Sequence, residues 1–408
     1  MVSSYPPDRC GVAIYTKKLA YSLSRHLNIC IIANKDDSED FIINRKMKVM
    51  RSWKRNTLFY FFEIWKTVLK ENPDIIHIQY EYLLYGVRKY AILFPLLLIL
   101  FKFLKKPIIL TMHSVILRDK LTSHFFGMHG VGYRFALIKR AILIIFTKLI
   151  GWLTDYIIVH NNLMKLYLVL EYNFAYDKIW VIPHGIDEPK FKLDKNKAKV
   201  LMRLNDSKVI LFYGFIIPGK GVENLLKAMP IILREIKNVT LIIASGYHPR
   251  LSIENPGYLG TIQRVISQTN LNDVVIFENK FISEEILSSY ISASDVIVFP
   301  YDEDAIIGAS GALASCALSK RPVIVTNIPR FNQDIKNNFN GILVDPKNEE
   351  QLAEMIILLL KNEELSNFLS ENLYVSNVGR KWSQVAERHF TVYKDIVSSH
   401  LTNGSPLV

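Results

Sequence analysis

The sequence predicts an α/β protein built from two doubly wound, Rossmann-like domains facing a cleft. Three observations lead there. At 408 residues the chain exceeds what one ordinary hydrophobic core organises. Short apolar runs suited to buried strands alternate with helical stretches in both halves, the pattern of a sheet covered by helices. A polar, charged stretch at 188–206 (EPKFKLDKNKAKVLMRLND) interrupts that alternation and reads as a boundary. The expected division is 1–190, 191–375, and a C-terminal helix within 376–408 that crosses back to the first domain.

In chain order, HLNICIIANK (26–35) and DIIHIQ (74–79) read as strands, with an aromatic helical stretch near Phe59–Leu69 between them. The apolar run Ala91–Phe101 has basic flanks and holds Pro95. A bilayer span takes about 20 residues, so a buried or interfacial helix is expected instead. PIILTMHS (107–114) is a strand. Residues 133–153 (YRFALIKRAILIIFTKLIGWL) form a second helix, with Arg134, Lys139, Arg140 and Lys148 spread among Phe, Ile, Leu and Trp. Both helices suit a core with a solvated basic edge or a membrane interface, and their shared positive sign favours the membrane. DYIIVH (155–160) and KIWVIPHGID (178–187) are the last strands of the first series.

The second series begins at KVILFYGFI (208–216) and a helix from Val222. VTLIIAS (239–245), a helix near Tyr258–Gln268, VVIFE (274–278) and a helix near Glu284–Ala293 follow. Next comes 300–326, PYDEDAIIGASGALASCALSKRPVIVT, read as strand end, acidic loop, helix and strand. After GILVDP (341–346) come helices Glu349–Lys361 and Trp382–Ser398.

Composition narrows the function. Half the residues are apolar, as in a globular chain. Cys10, Cys30 and Cys316 are widely spaced, which points to a reducing compartment and no disulfide framework. The N-terminal residues show no apolar leader, so a cytoplasmic location is expected. Of the net charge of +12, residues 1–185 carry 26 Lys and Arg against 13 Asp and Glu, and the remainder is near neutral. The first domain therefore faces an anionic surface or substrate.

Ligands of doubly wound sheets bind beyond the carboxyl ends of strands, so chemistry is sought in the loops there. Gly308, Ala309, Ser310 and Gly311 open a helix with small residues. They let a diphosphate approach the helix N–H groups, or merely permit tight helix–sheet packing. YGFIIPGKG (213–221) places Gly214 and Lys220 between a strand and a helix. Lys220 is a point charge suited to a diphosphate or a solvated turn residue. The spacing is not that of a P-loop, so ATP hydrolysis is not indicated. His113 follows a strand, where an imidazole hydrogen-bonds a sugar hydroxyl or serves structure. His77 sits inside a strand and reads as structural, and Glu81 ends that strand. Gly11, after Pro6-Pro7, allows close approach of a phosphate or makes a tight turn. Asp302-Glu303-Asp304 reads as a solvated loop or a ribose contact. No His, Cys, Asp or Glu cluster has metal-ligand spacing, and no GxSxG is present.

Taken in order, these blocks resemble the GT-B glycosyltransferases of family 4 over essentially the whole chain. They are YPPDRCGVAIYTKKLA, IIHIQYEYLLYG, PIILTMHSV, VIPHGID, YGFIIPGKGVENLLKAMP, SGYHP, and SGALASCALSKRPVIVT before GILVDP. The resemblance implies retaining transfer of a sugar from a nucleotide-diphosphate sugar to a glycan or lipid-linked acceptor. It assigns acceptor binding to the first domain and the nucleotide sugar to the second. His113 matches the histidine that contacts the transferred sugar, and Lys220 the lysine that neutralises the donor diphosphate. Gly11 matches a glycine near the reaction centre. Ser310 and Gly311 match the backbone donors to the distal phosphate, in a subgroup with an SG-type phosphate loop. Gly214, His248 and Glu303 complete the expected donor set. Such enzymes stabilise charge on the departing diphosphate and usually need no metal or other cofactor.

Two departures stand out. Phe215 occupies the place of a common arginine, and Ile307 and Ser315 occupy those of two glutamates, the second of which usually fixes the donor ribose. A non-catalytic GT-B partner or scaffold is therefore the alternative, and a GT-B epimerase a more distant one. The expected setting is the inner membrane face, through peripheral contact with anionic lipid, with no nucleic-acid partner.

Overall fold

The computed structural model describes residues 1–36, 38–128, 132–188, 193–204, 206–246, 257–280, 282–302 and 305–403. The chain divides into two units. One comprises Met1–Gly185, Ala305–Ala309 and Trp382–Val408, and the other Ile186–Asp304 and Ser310–Lys381.

The first unit contains β1 (Ile29–Asn34), β2 (Phe41–Asn44), β3 (Met47–Trp53), β4 (Ile76–Tyr80), β5 (Ile108–Met112), β6 (Ser114–Ile116), β7 (Tyr156–Val159) and β8 (Ile179–Val181). β1 and β3 run parallel with β2 antiparallel on the outer edge, and β4, β5, β7 and β8 form a parallel set. Val2 joins the two sets. Val2 N donates to His77 O at 2.8 Å and Gln79 N donates to Val2 O at 2.9 Å, while Ser3 N donates to Ile32 O at 3.2 Å on the other side. A single residue thus acts as the strand between β1 and β4, and the loop after it leads to Gly11. β5 is buried at every position and reads as a run of Ile, Leu, Thr and Met, as a strand covered on both faces requires.

The helix Trp382–Asn403 packs against the helix Gly11–Leu23. Trp382, Val385, Ala386, Val392 and Tyr393 share a core with Tyr15, Leu19 and Leu23. Gly185 lies flat beneath Trp382, where an added Cβ would come within 2.4 Å of the indole. On the far side, helices Tyr60–Glu71, Phe94–Lys102 and Ala136–Leu153 pack side by side. Pro95 sits in the first turn of its helix, where its missing N–H costs nothing.

The second unit holds β9 (Lys208–Tyr213), β10 (Val239–Ala244), β11 (Val275–Glu278) and β12 (Val296–Phe299). The next strand, β13 (Ile306–Gly308), belongs to the first unit, pairing antiparallel with β6. β14 (Val323–Thr326) and β15 (Ile342–Val344) complete the second sheet. Its order is β11-β10-β9-β12-β14-β15, all parallel, the dinucleotide-binding arrangement with the strand order reversing between β9 and β12.

The polar stretch at 188–206 contains a helix, Lys195–Leu201, capped by Asp194. Lys199 is buried there because its ammonium reaches Asp295 Oδ2 at 2.6 Å and Ser207 O at 2.7 Å. Gly308 ends β13 rather than opening a helix, and the helix starts at Gly311. β2, β3, β6, β13 and the helices Asn162–Tyr172 and Glu363–Asn377 lie outside the expected elements.

Candidate functional site

In the second unit the sequence-selected residues converge on the point where the strand order reverses. β9 ends at Tyr213, and Gly214 follows with φ +123°, a backbone region that side chains avoid. Gly221 has φ +67°, and a Cβ there would fall 1.8 Å from Pro300 O. The turn before the helix Val222–Glu235 is therefore pressed onto the end of β12, and Asp302 N donates to Gly219 O at 3.0 Å. This contact places Lys220 Nζ 3.7 Å from the centroid of the Tyr301 ring, a cation–π distance. Tyr301 is buried, which pushes its hydroxyl up to about 12, and that hydroxyl meets Ser310. Ser310 Oγ accepts from Leu313 N at 3.2 Å, capping the helix Gly311–Cys316. Lys220, Gly214, Ser310 and Gly311 are thus parts of one locality, arranged around β9 and β12. His248 and Glu303 lie outside the described residues.

The two glutamate positions have definite fates. Ile307 is fully buried in the first unit's core, opposite Val115 of β6. Ser315 Oγ donates to Ala312 O at 2.8 Å and lies 2.8 Å from Tyr213 Oη, which itself donates to Ala312 O at 2.6 Å. Neither position offers a carboxylate, and the Ser315 hydroxyl is held within the helix.

The first unit carries a second locality. Gly11 is exposed at the start of its helix, with Cys10 as the cap. A Cβ at Gly11 would meet nothing within 4 Å. His113 follows β5, and its ring packs edge-on against Tyr15 at 4.7 Å between centroids. Tyr15 also contacts His160, His184 and Trp382 at 5.1–5.3 Å. Burial, reinforced by His160, His184, His77 and His389, holds His113 well below the usual histidine range. It is a neutral ring at pH 7. His77 is fully enclosed and held down by burial and by His389. Glu81 accepts from Ser114 Oγ at 2.5 Å. Tyr15, Gln79 and His160 were not singled out by sequence. Tyr15 lies four residues after Gly11 on the same helix and was identifiable only by that spacing.

Among the described residues, no group of three His, Cys, Asp or Glu is placed to hold a metal ion, and no helix is long and apolar enough to cross a membrane.

Residues 10–189 match the family described as Glycosyltransferase Family 4, and residues 194–375 the family described as Glycosyl transferases group 1. The chain belongs to these glycosyltransferases and has the GT-B fold. CapM of Staphylococcus aureus, a capsular polysaccharide biosynthesis glycosyltransferase, is 30% identical over 191 residues, 46% of this chain and 47% of CapM. An uncharacterized glycosyltransferase of Methanocaldococcus jannaschii is 29% identical over 233 residues, 55% of each chain. A Mycobacterium tuberculosis enzyme named GDP-mannose-dependent alpha-(1-6)-phosphatidylinositol monomannoside mannosyltransferase is 22% identical over 208 residues, 49% of this chain and 50% of that one. The chain thus spans about half the length of these curated relatives. Among solved structures, sucrose-phosphate synthase from Thermosynechococcus elongatus superposes with a TM-score of 0.76 at 19% identity, covering 98% of both chains. HepE of Anabaena, solved with UDP-glucose, superposes at 0.73 and 12% identity, over 97% of this chain and 98% of that one. At these identities the two structures speak for the fold.

Proposed function

We propose that this chain is a retaining glycosyltransferase that takes its sugar from a nucleotide-diphosphate donor bound by the second unit. The observation that carries the reading is the construction at the strand-order reversal. Gly214 and Gly221 adopt backbone that only glycine tolerates well, Lys220 is held over Tyr301, and Ser310 caps a helix in the same locality. Backbone N–H groups and one ammonium arranged in advance stabilise charge developing on a departing diphosphate, with no covalent step by the protein. On this reading no metal is required. The donor class, a UDP- or GDP-sugar, is supported by the GDP-mannose-dependent relative and by the UDP-glucose in HepE.

The acceptor is a glycan or a lipid-linked glycan, met at the cytoplasmic face of a membrane. Its support is the polysaccharide and phosphatidylinositol mannoside chemistry named for two relatives, together with the basic first unit. The second reading, a non-catalytic partner, is favoured by Ile307 and Ser315 standing where the glutamates would be. Thermal stabilisation by nucleotide sugars, with Lys220→Ala as the control, separates the two readings.

A further inference from the structure

Five side chains of the first unit, with Thr111 branching from the second, run in an unbroken line of polar contacts from the C-terminal helix to the carbonyl of Ile182. Tyr393 Oη lies 2.6 Å from His77 Nδ1, and His77 Nε2 lies 2.7 Å from Thr111 Oγ1 and 3.2 Å from one end of the Gln79 amide. The other end of that amide lies 2.9 Å from His113 Nε2. His113 Nδ1 lies 3.1 Å from His160 Nε2, and His160 Nδ1 lies 3.2 Å from Ile182 O. His77, Gln79, Thr111, His160 and Tyr393 are all buried.

Proton counting starts at the carbonyl, which only accepts. His160 therefore carries its proton on Nδ1 and, as a neutral ring, accepts at Nε2. His113 supplies that proton from its own Nδ1, which leaves a lone pair on its Nε2. Gln79 must then turn its NH2 toward His113 and its oxygen toward His77, because the two ends of an amide are assigned by the network around them. His77 donates from Nε2 and accepts the Tyr393 hydroxyl proton at Nδ1. In this arrangement each donor in the line meets an acceptor. With the amide reversed, its oxygen requires a proton on His113 Nε2 while His160 still requires one on Nδ1. His113 would then be a cation among four other histidines, His77, His160, His184 and His389.

We propose that Gln79 and His160 are positioning residues that fix His113 as the neutral Nδ1–H tautomer, with the Gln79 amide tying that choice to His77 and Tyr393. The functional meaning rests on the reading of His113 as the residue that meets the donor sugar. Its Nε2 would then accept a proton from a sugar hydroxyl once the rotatable amide gives way, and would not donate one.

The test is the protonation pattern of the His113 imidazole, read from long-range 1H–15N correlations in the full chain and assigned by loss of the signal in His113→Asn. Wild type is expected to show Nδ1 protonated and Nε2 unprotonated. Gln79→Glu, whose carboxylate only accepts, is expected to add a proton at Nε2 at neutral pH. A wild-type ring carrying its proton on Nε2 alone overturns the proposal, as does a folded Gln79→Glu protein whose Nε2 stays bare. If Gln79→Glu does not fold, the wild-type pattern decides by itself. No substrate enters the measurement, so a failure of the transferase reading leaves its outcome unchanged.

Discussion

At Gly11 an added methyl group would meet nothing within 4 Å and the φ angle is not left-handed, so neither packing nor backbone conformation explains the glycine. Under the proposed function, close approach of a ligand would explain it. Gly11→Ala is then expected to keep or slightly raise stability, by up to about 1 kcal/mol as for Gly to Ala within a helix, while glycosyl transfer falls sharply. Full activity in a folded Gly11→Ala protein would remove Gly11 from the site. Gly221 is the opposite case, since Pro300 O leaves no room for any side chain. The sequence makes both glycines visible, and Lys220 and Ser310 with them, through their placement after strands. It cannot tell the two kinds of glycine apart, because the deciding atom at Gly221 lies 79 residues further along the chain. The pairing of Ser315 with Tyr213 is hidden for the same reason.

The helices Phe94–Lys102 and Ala136–Leu153 show what periodicity reveals and what it leaves open. Their apolar character is evident in the sequence, but the direction of the apolar face is not, since both are rich in Leu, Ile and Phe nearly all round. In the fold, Phe94, Leu97, Leu98 and Phe101 face the core, as do Ile150 and Leu153. A second apolar stripe faces outward. Ile138, Ile142, Ile145, Leu149 and Trp152 recur every three or four residues along one exposed side, Trp152 at 75% exposure, with Phe103 at 74% on the neighbouring segment. Gly151 is small because Phe174 lies against it, 2.4 Å from where a Cβ would sit. An exposed apolar stripe in a unit that also exposes Arg134, Lys102 and Lys105 suits the interface of an anionic bilayer. Vesicles with acidic lipid should bind the protein more tightly than neutral ones at low salt, and binding should weaken as salt rises. Trp152→Glu with Ile145→Glu should abolish it without loss of fold. Equal binding to both vesicle types would refute the membrane reading.

At the scale of the whole molecule, the two-series α/β pattern is legible in the sequence, whereas the strand order is not. Val2 bridges β1 and β4 with one residue, too short for any periodicity to register. β6 and β13 are three residues each and find one another across 190 positions. The buried histidines add a property of the entire chain. His77 and His389 are enclosed, and burial holds both below the ordinary value, His389 at about 4. The unfolded chain therefore binds more protons below about pH 6.5, so their neutral-state stability is present above that pH and is lost as pH falls. Between pH 7.5 and 5.5 the His389 ring is worth about 1.4 kcal/mol and His77 adds to the loss in the same direction, so denaturant unfolding should show a smaller free energy at pH 5.5. Equal unfolding free energies at the two pH values would contradict the burial of these rings. The central claim, a diphosphate-sugar site at the strand-order reversal of the second unit, is tested most directly by thermal unfolding with UDP-, GDP- and ADP-sugars, with and without EDTA. A raised midpoint is expected with one nucleotide class, unchanged by EDTA and lost in Lys220→Ala. An unmoved midpoint with every donor, or an equal shift in Lys220→Ala, would contradict it.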